Sequence, residues 1–249
     1  DSGKKVYSEF DSVRQIADVY INGTHIGQNQ TGFIPFGFDL TPHLKFGEDN
    51  MIAVKVNNDR GDHFRDNFPL VWHHEHWHPN HGGIYRNVFL HVMDPLHITL
   101  PLYDNLETVG TYVYAENITE KNADVTVTAQ VQNEYTEAKQ VLYETKIIDN
   151  EGKLGAVSKT EQQINAGEKF TFSTTTSISN PNRWYTRNPY MYVVESVLKV
   201  NGKIVDSYTT PLGIRSFDFN KDTGFSNNGE YAKLHGWGQK PTNSWAGLG

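Results

Sequence analysis

The sequence predicts an all-β protein built as two successive β-sandwiches, and three observations carry that prediction. Apolar and polar residues alternate with period two in one short run after another, as in strands with one buried face. Asn-Gly pairs separate such runs at Asn22-Gly23 and Asn201-Gly202, where a two-residue hairpin turn needs positive φ at both central positions. In the first hundred or so residues no amphipathic stretch of helix length competes with the strands. Composition agrees: 13 Tyr, 13 Phe and 21 Gly beside scattered β-branched residues suit strands joined by turns. A length of 249 residues is long for one domain and comfortable for two.

The first region runs over residues 1–98. Val6-Tyr7-Ser8-Glu9-Phe10 alternates as a strand, and Val19-Tyr20-Ile21 turns through Asn22-Gly23 into His25-Ile26-Gly27. Gly32-Phe33-Ile34-Pro35-Phe36-Gly37-Phe38 then presents aromatics, and Asp39-Leu40-Thr41-Pro42-His43-Leu44 can start one helical turn capped by Asp39 or Thr41. Met51–Val56 is a further strand. Ile84–Val92 reads as one long strand with Ile84, Arg86, Val88 and Leu90 on one side.

The second region spans 99–219. Its strands are Thr111–Ala115, Asp124–Val131, Gln140–Thr145, Phe170–Ser173, Tyr192–Leu198 and Ile204–Tyr208, the last two joined at Asn201-Gly202. About seven short strands in about 120 residues is the pattern of an immunoglobulin-like sandwich. Trp184 reads as a packing anchor. Residues 220–249 change character: a hairpin around Asn227-Asn228-Gly229 leads into Leu234-His235-Gly236-Trp237-Gly238-Gln239-Lys240-Pro241.

Charge and composition exclude some classes of function. A formal charge of −7 offers no basic stripe for nucleic acid. No apolar run approaches the length of a membrane span, and no secretory leader is in view. Cysteine is absent, so no disulfide framework exists, while the compartment stays open.

Four blocks in order carry a family resemblance. They are Ala17-x-Val19-Tyr20-x-Asn22-Gly23-x-x-Ile26-Gly27 with Gly32-Phe33-x-Pro35-Phe36-x-Phe38-Asp39; Gly82-Gly83-Ile84-Tyr85-Arg86-Asn87-Val88; Asn188-Pro189-Tyr190-Met191-Tyr192 with Gly213-Ile214-Arg215-Ser216-Phe217; and Phe225-x-x-Asn228-Gly229 with Lys233-Leu234-His235-Gly236. Together they resemble glycoside hydrolase family 2, the family of β-galactosidases, β-glucuronidases and β-mannosidases. The resemblance implies a galactose-binding-like jelly roll over 1–98 without its first strands, an immunoglobulin-like sandwich over 99–219, and the start of a catalytic (β/α)₈ barrel over 220–249. Such a barrel needs roughly 250 residues, so the chain is expected to be an excerpt whose partner is the missing barrel of the same polypeptide. A sheet without its outer strands is expected to leave apolar faces wet.

The family's reaction, hydrolysis with retention, uses two carboxylates about 5–5.5 Å apart. The resemblance places both on later barrel strands, and no residue here matches them; no catalytic residue is assigned. The richest candidate is the insertion between Asn57 and Gly82, since loops beyond about 12–15 residues without structure of their own are usually functional or disordered. Phe64, Phe68, Trp72 and Trp77 favour burial over disorder. In the family this loop carries an acidic residue to the substrate pocket. Here the corresponding place falls near Trp77, with Glu75 the nearest carboxylate and Asp59, Asp62 and Asp66 further off. Trp72 and Trp77 are candidates to stack on sugar rings while His74 and His76 bond hydroxyls. Six of the eleven histidines lie in this insertion, and His74, His76 and His78 share one face of an extended strand, a spacing compatible with Zn²⁺ or Ni²⁺. Satisfied imidazoles in a polar loop are the plainer reading, and neither a metal nor a cofactor is expected. At the end of a first barrel strand, Trp237, Gln239 and Lys240 would face the pocket; an Xaa-Pro turn ending a strand accounts for them equally. A lysine where the family has a neutral histidine hints at an anionic or unusual sugar.

The expected function is therefore the non-catalytic N-terminal portion of an enzyme hydrolysing terminal β-galactosides, or related β-glycosides, of oligo- or polysaccharides. The excerpt alone is expected to be inactive. The alternative is a stand-alone carbohydrate-binding module or cell-surface adhesin, and a third reading is a structural pair of sandwiches. The partner is carbohydrate, not nucleic acid or membrane; a homo-oligomer stays open, and the substrate type implies export to the periplasm or outside the cell.

Overall fold

The computed structural model describes residues 3–58, 82–102 and 105–238. Residue contacts divide the chain into two compact units. The first gathers the chain up to Val92, and the second holds Met93–Pro101 and Thr108–His235.

In the first unit the strands are β1 (Lys5–Phe10), β2 (Val13–Arg14), β3 (Ile16–Ile21), β4 (Thr24–Asn29), β5 (Phe36–Asp39), β6 (Ile52–Asn57), β7 (Gly83–Ile84) and β8 (Val88–Met93). They form the sheets β5-β1-β8 and β4-β3-β6 and the short pair β2-β7. The β3–β4 hairpin turns at Asn22 (φ 51°) and Gly23 (φ 83°), the left-handed pair that the sequence predicts. The core gathers Val6, Phe10, Val13, Ala17, Val19, Phe36, Phe38 and Leu40, with Phe10 and Phe36 stacked at 5.0 Å. Gly27 is glycine because a Cβ there would lie 2.2 Å from the Phe38 ring. The predicted helical turn is one 3₁₀ turn, Thr41–His43. Leu40 is its N-cap, while the Asp39 carboxylate accepts from the Thr41 N–H at 2.8 Å.

The single strand read over Ile84–Val92 is two strands. The break at Tyr85–Asn87 has a physical cause: the Tyr85 hydroxyl is held on the Gly32 carbonyl and the Ser12 hydroxyl. β7 therefore pairs with β2 and β8 belongs to another sheet. Val88, Phe89, Leu90 and Val92 of β8 and Ile52 of β6 are exposed apolar residues on strands at sheet edges.

In the second unit the strands are β9 (Leu96–Ile98), β10 (Thr111–Glu116), β11 (Asn122–Asn133), β12 (Lys139–Ile148), β13 (Leu154–Ile164), β14 (Lys169–Ser179), β15 (Tyr192–Val200), β16 (Lys203–Leu212), β17 (Phe217–Asn220), β18 (Gly224–Asn227) and β19 (Glu230–Tyr231). One sheet runs β10-β11-β14, with β9 added on the end of β11; the other runs β13-β12-β15-β16. Their inner faces enclose two buried clusters, one around Tyr143, Phe172 and Leu198 and one around Val125, Ile147 and Val194. Tyr143 from one sheet stacks on Phe172 from the other at 4.7 Å, which makes this an immunoglobulin-like sandwich. Each such buried side chain contributes on the order of 1.5–3 kcal/mol. Leu96–Ile98 pairs with β11, although the sequence reading extends the first domain to residue 98. The β17-β18-β19 ribbon clusters with this second unit.

Trp184 is the packing anchor expected of it. Its backbone N–H donates to Ile214 O at 2.9 Å, its ring meets Phe217 edge-on, and the Arg215 guanidinium lies 4.5 Å from the ring centroid. The Asn228 side chain, at a turn residue with φ 53°, donates to Trp184 O and accepts from Ser216 N–H, so the ribbon is fastened to the sandwich end.

Candidate functional site

The place to look for a sugar platform is the rim of the 59–81 insertion, where β6 leaves the first unit and β7 returns. Asn58 and Gly82 meet at that rim: a Cβ on Gly82 would lie 2.5 Å from Asn58 Cγ, so a larger residue there would have to displace the Asn58 side chain. Gly83, at φ 114°, completes the turn and pairs with Arg14 while Ile84 pairs with Val13.

Three segments are then locked by one small hydrogen-bond triangle. The Gly32 carbonyl accepts from the Tyr85 hydroxyl at 2.7 Å. The Ser12 hydroxyl lies 2.7 Å from the same carbonyl and 2.8 Å from Tyr85 Oη, with one proton to share between them. Ser12 is fully buried, so this triangle works away from competing water. It fixes the turn that presents Phe33 and Ile34, both large apolar residues left about half exposed.

Beneath Phe33 lies Arg14, whose guanidinium carbon is 5.3 Å from the ring centroid. Arg14 is only 6% exposed, and its Nε has no hydrogen-bond partner among the described residues. Gly32 packs closely as well, since a Cβ would come within 3.2 Å of Arg14 Cγ. Arg86 sits 5.9 Å from the Tyr85 ring centroid. An exposed ring backed by a cation can stack on the apolar face of a pyranose.

Asp59, Asp62, Asp66, Trp72, His74, Glu75, His76, Trp77, Gln239 and Lys240 lie outside the described residues. Trp237 is described and is 97% exposed. No group of three or more His, Asp or Glu that could hold a metal occurs among the described residues. Ser12, Arg14, Phe33 and Tyr85 are the additions that folding reveals. Phe33 and Tyr85 stand inside motifs the sequence displays, but nothing in the sequence links Ser12 to Tyr85 across 73 positions.

Comparison with known proteins bears on the family and the fold. Residues 2–95 match the family model "Glycosyl hydrolases family 2, sugar binding domain", and residues 108–215 match "Glycosyl hydrolases family 2". The chain is similar over all 249 residues, at 72% identity, to a protein named Beta-glucuronidase from Formosa agariphila, of which it covers 25%. It is 32% identical over 236 residues, 95% of the chain, to Beta-galactosidase BoGH2A from Bacteroides ovatus, again covering 25% of that protein. Among solved structures, one described as a beta-glucuronidase from glycoside hydrolase family 2 superposes with a TM-score of 0.92 at 71% identity. That match takes in 98% of this chain and 26% of that one. The chain thus spans about a quarter of the length of the curated relatives it matches.

Proposed function

Because this chain belongs to glycosyl hydrolases family 2, we propose that it forms the N-terminal, non-catalytic part of a retaining β-glycosidase that removes terminal β-glucuronic acid from oligo- or polysaccharides. The observation that carries the glucuronide over other sugars is the 72% identity, sustained over all 249 residues, to a protein named Beta-glucuronidase. In this reading the two units are scaffold. The first supplies a wall of the sugar site through the rim around Phe33, Arg14 and the 59–81 insertion, and the second serves as brace. The proton-transferring pair of carboxylates, about 5–5.5 Å apart for retention, is supplied by the polypeptide outside residues 1–249. A glycan carboxylate also suits Lys240, a cation where the family resemblance leads one to expect neutral histidine.

The second reading keeps the scaffold and changes the sugar to β-galactose. It is favoured by the 32% identity to a protein named Beta-galactosidase. Turnover of 4-nitrophenyl β-glucuronide and β-galactoside by the full polypeptide separates the two. A kcat/KM at least about a hundredfold higher on the glucuronide, or about 2.7 kcal/mol of discrimination, is the expected result. Preference for the galactoside selects the second reading. Turnover of neither by the full polypeptide removes both.

A further inference from the structure

The outer face of the sheet β10-β11-β14 carries a second constellation suited to sugar, far in sequence from the 59–81 insertion. Strand register sets it out in rows. Tyr112 stands opposite Thr128, which stands opposite Ser173; Tyr114 stands opposite Thr126, opposite Thr175; Glu116 stands opposite Asp124, opposite Ser177. Residues facing each other across an antiparallel pair point to the same side, and the alternate residues Val113, Val125, Val127, Ala129 and Phe172 point into the core. The outer face is therefore two tyrosines beside rows of hydroxyls, closed at one end by the carboxylates Glu116 and Asp124.

Its geometry is that of a stacking platform. The Tyr112 and Tyr114 rings lie side by side with centroids 5.6 Å apart and planes tilted by 34°. Tyr112 is 62% exposed, an arrangement that burial in this sandwich does not require. Thr126 and Thr175 share a hydrogen bond of 2.9 Å, whereas Thr171 and Ser173 are exposed with side-chain hydroxyls that make no hydrogen bond among the described residues. Asp124 is oriented by Ser177 and the Asn122 amide on Oδ1 and by the Asn117 amide on Oδ2, which keeps a lone pair to accept a further hydrogen bond. Among the outward positions of β10, β11 and β14 the only lysine or arginine is Lys169, at the end away from Glu116 and Asp124. The opposite sheet is different: there Lys146, Lys159 and Lys199 crowd the Glu144 carboxylate at 3.1–3.7 Å. One outer face is ionic; the other is aromatic and hydroxylic.

We propose that the β10-β11-β14 face binds an uncharged stretch of a β-linked polysaccharide, with Tyr112 and Tyr114 stacking on successive sugar rings and Ser173, Thr171 and Asp124 bonding their hydroxyls. An extended chain lies flat on a sheet face, aromatic rings supply apolar area to the sugar's C–H side, and lone hydroxyls replace the water its hydroxyls lose. The choice of polysaccharide rests on the glycosidase reading above, and the face would hold the polymer while the catalytic part trims its ends. With the carboxylates Glu116 and Asp124 at one end and the single lysine Lys169 at the other, the face favours an uncharged chain over a polyuronate.

Native affinity electrophoresis of the full polypeptide tests this, in gels containing a soluble neutral β-galactan or, separately, sodium polygalacturonate. Retardation by the neutral polymer and not by the polyuronate is expected. Tyr112→Ala with Tyr114→Ala should weaken it about tenfold, while Tyr112→Phe with Tyr114→Phe should retain it with an unchanged unfolding temperature. Equal retardation of the alanine variant, no retardation of the wild type, or preference for polygalacturonate would overturn the proposal. Wild-type turnover of aryl glycosides is scored separately: retardation without turnover supports this face and removes the glycosidase reading instead.

Discussion

Replacing Tyr143 by Phe tests the second unit's core in a way that changes sign with pH. Tyr143 is fully buried on β12, stacks on Phe172, and shares a 2.9 Å hydrogen bond with Ser196, also fully buried. Removing the hydroxyl strands Ser196 Oγ in a dry interior, which costs about 1–2 kcal/mol near neutral pH. The same burial pushes the Tyr143 hydroxyl up to about 12 from its ordinary value of 10, with the Ser196 bond pulling slightly the other way. A raised folded value means the stabilisation is complete below pH 10 and is lost as pH rises towards 12, because the unfolded chain releases a proton the folded chain must keep. At 1.36 kcal/mol per unit, the wild type forfeits about 2.7 kcal/mol across that window and the Tyr143→Phe chain does not. The two stability curves should therefore cross near pH 11. Urea unfolding at a series of pH values, with midpoints compared at unchanged slope, reads the crossing directly. A gap that stays constant from pH 8 to 12, or a phenylalanine variant already more stable at pH 8, would refute the reasoning. Adding Ser196→Ala to Tyr143→Phe should restore part of the neutral-pH loss, since the stranded partner is then gone.

Other predictions follow from single sites. Gly27→Ala would place a methyl group against the Phe38 ring and should destabilise the first unit by about 1–3 kcal/mol in urea unfolding; a neutral effect would show that the ring moves freely. Burial raises the Glu144 carboxyl, but hydrogen bonds from Lys159 and Lys199 outweigh it and hold it below its ordinary value. Its stabilisation is therefore present above about pH 4.5 and lost as pH falls through the folded value, so Glu144→Gln should flatten the acid limb of stability. Among the three Asn-Gly turns, Asn22 and Asn228 have their amides tied by hydrogen bonds, whereas exposed Asn201 makes none among the described residues. Attack of the Gly202 nitrogen on the Asn201 side chain, with loss of ammonia, should make peptide mapping after alkaline incubation show deamidation first at Asn201. Equal rates at all three turns would show that the hydrogen bonds offer no protection.

What the sequence disclosed and what it hid have physical reasons. Asn22-Gly23, Asn201-Gly202 and Asn228-Gly229 were legible because a left-handed pair has few residue solutions, and each does turn a hairpin. β13 was not legible. Its run Ser158-Lys159-Thr160-Glu161-Gln162-Gln163 is polar on both faces, as an edge strand of the sheet permits. The break at Tyr85–Asn87 escaped for another reason: only the distant partners Ser12 and Gly32 turn the ring aside. In the candidate site, Phe33 could be noticed as an aromatic in a glycine-bounded turn. Arg14 beneath it could not, because a lone arginine after a valine carries no pattern. The acidic and aromatic residues of the 59–81 insertion were the strongest signal in the sequence, and they fall outside the described residues.

The central claim is that these two β units brace a glucuronide-cleaving site whose nucleophile lies elsewhere in the polypeptide. Its most direct test is to treat the full polypeptide with a glucuronic-acid-configured aziridine, which traps a nucleophilic carboxylate as a covalent ester, and to map the labelled peptide by mass spectrometry. One label per polypeptide, on a glutamate outside residues 1–249, is the predicted result. A label on any carboxylate within residues 1–249, or trapping only by the galactose-configured reagent, would contradict it.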